Sequence, residues 1–117
     1  MQCLQLTRGE PPATTVDVAL SGTFDSSYGY VTIDGTKYTS EQTLTVAKGT
    51  SVTVYCGSVE SVLQKKSIIT LNGTTVAQGT SSAEAEYTFA ATNNCSIVMT
   101  ETGSTRFYYS AAITMPV

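Results

Sequence analysis

The chain has 117 residues, 13% charged and 41% hydrophobic, and its six basic and nine acidic side chains give a formal charge of −3. That length suits a single domain with one core, and the abundance of Thr and Ser beside few helix formers excludes both a helical bundle and a disordered acidic tail. Arg8, Lys37, Lys48, Lys65, Lys66 and Arg106 are scattered, so there is no phosphate-tracking stripe and nucleic acid is not an expected partner.

The opening segment, MQCLQLTRGEPP, has no cationic stretch followed by an apolar run of signal-peptide length. No segment approaches the length of a membrane span, so no membrane insertion is expected. Synthesis in the bacterial cytoplasm without a signal peptide follows as the expectation; a chain trimmed of its leader would instead be extracellular. Leu4 and Leu6 share one face of this segment, and Pro11-Pro12 sets it off, because prolines force extended backbone and interrupt a ladder. Residues 1–12 therefore read as a first strand or an arm that pairs with a neighbouring subunit, and residues 13–117 as the domain.

From Thr15 the chain alternates with period two, Val16, Val18 and Leu20 on one side and Asp17 and Ala19 on the other, as a half-buried strand requires. Gly22 to Gly29 reads as a loop. Tyr30 to Ile33 and Thr36 to Thr39 are β-prone runs joined by Asp34-Gly35, a dipeptide suited to the positive φ of a type I′ hairpin turn. Leu44 and Val46 alternate up to Lys48-Gly49, and Val52, Val54 and Cys56 resume after it, which predicts a second antiparallel pair. Between Ser58 and Lys66 the spacing of Val59, Val62 and Leu63 fits a helical turn, with an edge strand or a crossover as alternatives. Ile68 to Leu71, Asn72-Gly73 and Thr74 to Ala77 repeat the hairpin signature. Tyr87 and Phe89 lead through Thr92-Asn93-Asn94 to Cys95, Ile97 and Met99; after Gly103, Phe107, Tyr109, Ala111, Ile113 and Met115 share one parity until Pro116.

The two halves echo each other: strand, Asx-Gly turn, strand, loop, strand, turn, strand. Leu44 matches Tyr87, Val46 Phe89, Val52 Cys95, Val54 Ile97 and Cys56 Met99, every pair inward by parity. The predicted fold is all-β, a two-layer antiparallel sandwich with an internal pseudo-repeat.

Chemistry is sparse. With no histidine the commonest general base and metal ligand are missing, and with them the Ser-His-Asp and Cys-His arrangements. Cys3, Cys56 and Cys95 lack zinc-site spacing; Cys56 and Cys95 fall on inward positions, as buried thiols or as a bridged pair. Glu84 and Glu86 lie two apart and face one side, an arrangement far more common on a solvated strand face than in an acid–base pair. Asp25 and Asp34 are isolated acids without the run of oxygen ligands calcium needs. Asn72-Gly73-Thr74 and Asn94-Cys95-Ser96 match the glycosylation sequon, but a turn and a loop account for them. No catalytic residue, cofactor or metal site is expected. The seven tyrosines are the most suggestive feature, because a Tyr-rich, Trp-free surface amid Ser and Thr is the chemistry of an adaptable contact face. The candidate contact residues are Tyr28, Tyr30, Tyr108 and Tyr109, with Leu4 and Leu6 of the arm.

At VTIDGTKYTSEQTLTVAKGTSVTVYC and ITLNGTTVAQGT…AEYTFAATNNCSIVM the sequence resembles bacterial immunoglobulin-like and surface-repeat modules of adhesins. It is more similar still to the short stand-alone β-sandwich proteins from the structural-gene regions of tailed bacteriophages and prophages. It departs from the cell-wall repeats in lacking tryptophan and a C-terminal anchor. The resemblance implies an immunoglobulin-like sandwich in a virion, a non-catalytic decoration or tail-associated module whose partners are other copies of itself or other virion proteins. The alternative is an adhesion domain binding a host surface glycan or receptor through a Tyr-rich face.

Overall fold

The structure, a computed structural model, describes residues 14–116; the arm with Cys3, Leu4 and Leu6 lies outside the described residues. The strands are β1 (Thr15–Gly22), β2 (Gly29–Ile33), β3 (Thr36–Tyr38), β4 (Gln42–Ala47), β5 (Thr50–Cys56), β6 (Ile68–Leu71), β7 (Thr74–Gln78), β8 (Ala85–Ala91), β9 (Cys95–Thr102) and β10 (Tyr108–Thr114). They form a six-stranded sheet, β4-β1-β9-β10-β6-β7, packed on a four-stranded sheet, β3-β2-β5-β8. The all-β, two-layer expectation holds.

Alternation decides which side chains meet between the layers. Val16, Val18 and Leu20 from β1 and Ile97 and Met99 from β9 face Val31 and Ile33 from β2 and Val52 and Val54 from β5, all buried. Removing such a side chain from water contributes about 1.5–3 kcal/mol each, so register is strongly specified wherever the pattern is apolar inside and Thr or Ser outside. Both Asx-Gly hairpins form as expected. Asp34 and Asn72 each take φ 50°, followed by Gly35 at 83° and Gly73 at 85°, the paired left-handed residues of a type I′ turn.

Two expectations are corrected. First, β4 and β5 do not pair: β4 joins β1 in the larger sheet, and β5 lies between β2 and β8 in the smaller one. The Lys48-Gly49 corner is an arch between layers. Lys48 N donates to Thr14 O at 2.9 Å on one side, and Gly49 N to Ala91 O at 2.8 Å on the other. Apolar alternation is the same in a hairpin and in an arch, since both strands present one face to the core; only hydrogen-bond partners separate them. Second, the sheets are not wholly antiparallel, because β1 runs parallel to β9 and β6 parallel to β10. Parallel neighbours need long connections, and here each connection passes through the other sheet. The segment after β5 takes two of the forms expected of it, a helical turn and a crossover. The 3₁₀ segment Ser61–Lys66 carries the chain from β5 to β6, with Val59 and Val62 left exposed.

The echo in sequence has a topological counterpart. Lifting β1 and β10 out of the larger sheet leaves β7-β6-β9-β4, which repeats β3-β2-β5-β8 in order and in alternating direction. The matched inward residues are all buried or half-buried. One matched pair, Cys56 and Met99, meets across the layers with Sγ 3.5 Å from Sδ. Cys56 and Cys95 are both free thiols, which removes the bridged alternative.

One end of the sandwich is clipped through Gly57. Its N–H donates to Tyr28 O at 2.7 Å, while its carbonyl accepts from Tyr109 N at 2.9 Å, so one residue ties the two sheets together. The buried hydroxyls beside it are satisfied: Ser67 Oγ donates to Gly57 O at 3.3 Å, and Ser58 Oγ to Phe107 O. Unpaired, each would cost about 1–3 kcal/mol.

Candidate contact surface

The outward residues of the smaller sheet follow from its register. Tyr30 on β2 lies opposite Tyr55 on β5, which lies opposite Glu86 on β8; one step along, Thr32, Thr53 and Thr88 form a second row. Tyr30 and Tyr55 stack with ring centroids 4.6 Å apart and planes 17° from parallel. Lys37 on β3 brings Nζ to 4.1 Å from the Tyr30 centroid and donates to Ser26 O at 3.0 Å. Thr53 and Thr88 hydroxyls are 2.8 Å apart. The result is a ladder across four strands, from ammonium through two rings to the carboxylates of Glu84 and Glu86.

The electrostatics of the ladder are those of protonated phenols. Burial pushes the Tyr55 phenol above its ordinary value, and the Glu84 carboxylate beside it adds to the rise. Tyr30 is raised in the same sense, by burial first and then by Glu86 and Glu84. At neutral pH both are hydrogen-bonding hydroxyls and neither is a base. The ring faces are also occupied: Lys37 covers one side of Tyr30 and Tyr55 the other. What the ladder offers a partner is ring edges, two hydroxyls, the threonine row and a positive-to-negative gradient.

The tyrosines chosen from sequence do not assemble into one patch. Tyr30 stands on the outer face of the smaller sheet. Tyr108 points outward from the larger sheet, half-buried, with Lys66 Nζ 6.0 Å from its ring. Tyr28 is half-buried at the clipped end, edge-on to Phe107 at 5.7 Å. Tyr109 is a correction: it is 2% exposed and belongs to the core, edge-on to Phe107 at 5.8 Å, its hydroxyl donating to Glu101 Oε2 at 2.8 Å. Its own parity explains this, since Tyr109 alternates in step with Ala111 and Ile113, both buried. Leu4 and Leu6 lie outside the described residues.

Tyr55, Lys37, Thr53 and Thr88 escaped the sequence. Tyr55 carried a local signal, because it alternates with the inward Val54 and Cys56 and so must face out. Its partnership with Tyr30 carried none, because pairing of β2 with β5 skips over two intervening strands. Elsewhere, a shallow depression of about 390 Å³ on the larger sheet is lined by Asp17, Ala19, Thr43, Asn94, Ser96 and Thr114 among others. Its polar groups are engaged within the fold: Asn94 Oδ1 accepts from Asp17 N at 2.9 Å, and Thr45 Oγ1 donates to Asp17 Oδ1 at 2.8 Å. Among the described residues, no group of three or more His, Cys, Asp or Glu is placed to hold a metal ion. No protein-family model, curated protein or solved structure gives a significant match to this chain.

Proposed function

We propose that this chain is a non-catalytic contact module of a phage-like particle, a decoration or tail-associated protein acting through protein–protein contacts, with an elaborated immunoglobulin-like sandwich. The observation that carries it is the shape of the available surface. Two broad sheet faces of opposite character, one a Tyr-Lys-Glu ladder and the other nearly free of charge, suit docking between proteins. The sequence cadence shared with phage structural modules supports the same conclusion. The experiment is co-sedimentation of the purified chain with capsids and tails from the phage or prophage that encodes it. Retention at a fixed stoichiometry is expected, reduced by Tyr55→Ala; absence of retention on both particles would overturn the proposal.

A second function, glycan or receptor binding, is favoured by one feature, the two phenol hydroxyls standing beside Glu84 and Glu86 on a single strip. Hydroxylated ligands would be held there by hydrogen bonds at the ring edges, because the Tyr30 ring faces are covered. A glycan array separates the two: binding lost on Tyr55→Ala or Glu86→Ala supports the adhesion function, and a blank array removes it.

A further inference from the structure

We propose that the outer face of the six-stranded sheet is the surface through which two copies of this chain pair; the proposal rests on the contact-module function and names one partner for it. The outward residues on β1, β9 and β10 alternate with the buried core residues, and among them Asp17 alone is charged. Asp17 sits near the end of β1 and accepts a hydrogen bond from Thr45. The centre of the face is the row Ser21, Val98, Ala112 and Thr70, in register across β1, β9, β10 and β6. Val98 is 41% exposed there, a branched apolar side chain among small and hydroxylated neighbours. Ala19 and Ser96 continue the small-residue surface in the next row. Charges are displaced to the rim, with Glu41 and Lys48 flanking β4 and Lys65 and Lys66 preceding β6. A neutral centre inside a charged rim is the anatomy of a protein interface.

Charge and area select a second copy as the occupant. The chain carries −3, so two copies meet against like net charge unless the surfaces that touch are free of it. The larger sheet meets that condition over its central row, with Asp17 as the one outward charge on β1, β9 and β10. The smaller sheet, with Lys37, Glu84 and Glu86, does not. A strongly charged partner would find no complement on the neutral face, whereas an identical face supplies matching hydroxyls and equally low relief. Six strands about 4.8 Å apart and about 20 Å long make a footprint of about 500 Å², and side-chain relief brings the accessible area toward the roughly 800 Å² per partner of a stable interface. Small side chains let two sheets approach to the usual spacing of about 10 Å, and a two-fold axis through Val98 closes the assembly.

Sedimentation equilibrium of the full chain tests the pairing. A dimer is expected, with Val98→Glu and Ala112→Lys each weakening it by at least about tenfold, while Thr53→Glu on the opposite face leaves it unchanged. Circular dichroism and thermal melts of each variant report whether the fold is kept, as these outward positions predict. Because each paired face carries a single charge, Asp17, away from the central row, the dissociation constant should change by less than about threefold between about 0.05 and 0.5 M salt. A chain that stays monomeric up to about 1 mM overturns the proposal, as does a dimer indifferent to both Val98→Glu and Ala112→Lys. A dimer broken by Thr53→Glu and weakened by salt also overturns it, by placing the contact on the smaller sheet. A dimer that ignores phage particles would leave the pairing standing and remove the proposed function; a monomer that binds them would do the reverse.

Discussion

Gly29 shows how one missing side chain sets the geometry at the clipped end. The Tyr109 ring lies directly on it, and a Cβ added at Gly29 would come within 2.7 Å of Tyr109 Cγ. Tyr109 cannot step aside freely, because its hydroxyl is held by Glu101 and its edge by Phe107. Gly29→Ala should therefore destabilise the fold by about 1–3 kcal/mol, the usual cost of overpacking. Urea denaturation reads the loss, and a smaller loss in a Tyr109→Leu background identifies the ring as its cause. On the outer face, the Tyr30–Tyr55 stack is expected to show a coupling of about 0.5–1.5 kcal/mol in a double-mutant cycle with alanine at each position. A coupling near zero would mean that the two rings stand side by side without stabilising one another.

At the scale of elements, the two Asx-Gly hairpins share backbone conformation but differ in what their first residue holds. Asn72 donates from Nδ2 to Met115 O at 2.9 Å and accepts on Oδ1 from Met115 N at 2.9 Å, pinning the residues after β10 to the β6–β7 turn. Asp34 holds the same φ in the β2–β3 turn, and its backbone N–H donates to Ser51 O at 3.3 Å. Alanine at either site meets the cost of a left-handed conformation, about 1 kcal/mol. Asn72→Ala additionally loses two hydrogen bonds worth about 0.5–1.5 kcal/mol each. Chemical denaturation should rank Asn72→Ala as clearly more destabilising than Asp34→Ala; equal losses would show that the contact with Met115 contributes nothing. The turns themselves were legible because their chemistry is local: an Asx-Gly dipeptide between alternating runs leaves little else for the backbone to do. The Lys48-Gly49 corner has the same local pattern and is an arch instead, and nothing within a few residues distinguishes a turn within a sheet from a turn between sheets.

At the scale of the whole molecule, proton binding gives a test that no single contact controls. Burial pushes the Cys56 thiol up to about 12, and burial raises the phenols of Tyr55 and Tyr109, with Glu84 and Glu101 respectively adding to the rise. Each group holds its proton more tightly in the folded chain than in the unfolded one, so the unfolded state releases protons first as pH rises. The stabilisation is full below the unfolded values, near pH 9–10 by ordinary thiol and phenol behaviour, and is lost progressively as pH climbs toward about 12. Urea midpoints should accordingly fall between about pH 8 and pH 11. A midpoint that stays level across that interval would contradict the burial of these groups.

Sequence alone determined what short-range physics controls: an all-β chain, the two type I′ turns, and the inward or outward parity of nearly every strand residue. Parity also holds the signal that overrules Tyr109 as a contact residue, since it shares its phase with Ala111 and Ile113, and the signal for the outward placement of Tyr55. Only the tertiary structure decided which sheet each strand joins, that β1 and β10 enter the larger sheet beside parallel neighbours, and that Tyr30 meets Tyr55 while Tyr108 faces the opposite side. The physical reason is the same in each case. A period of two fixes the direction a side chain points, whereas strand partnership is a choice among distant segments that share the same alternation, settled by hydrogen bonds and packing across the completed core.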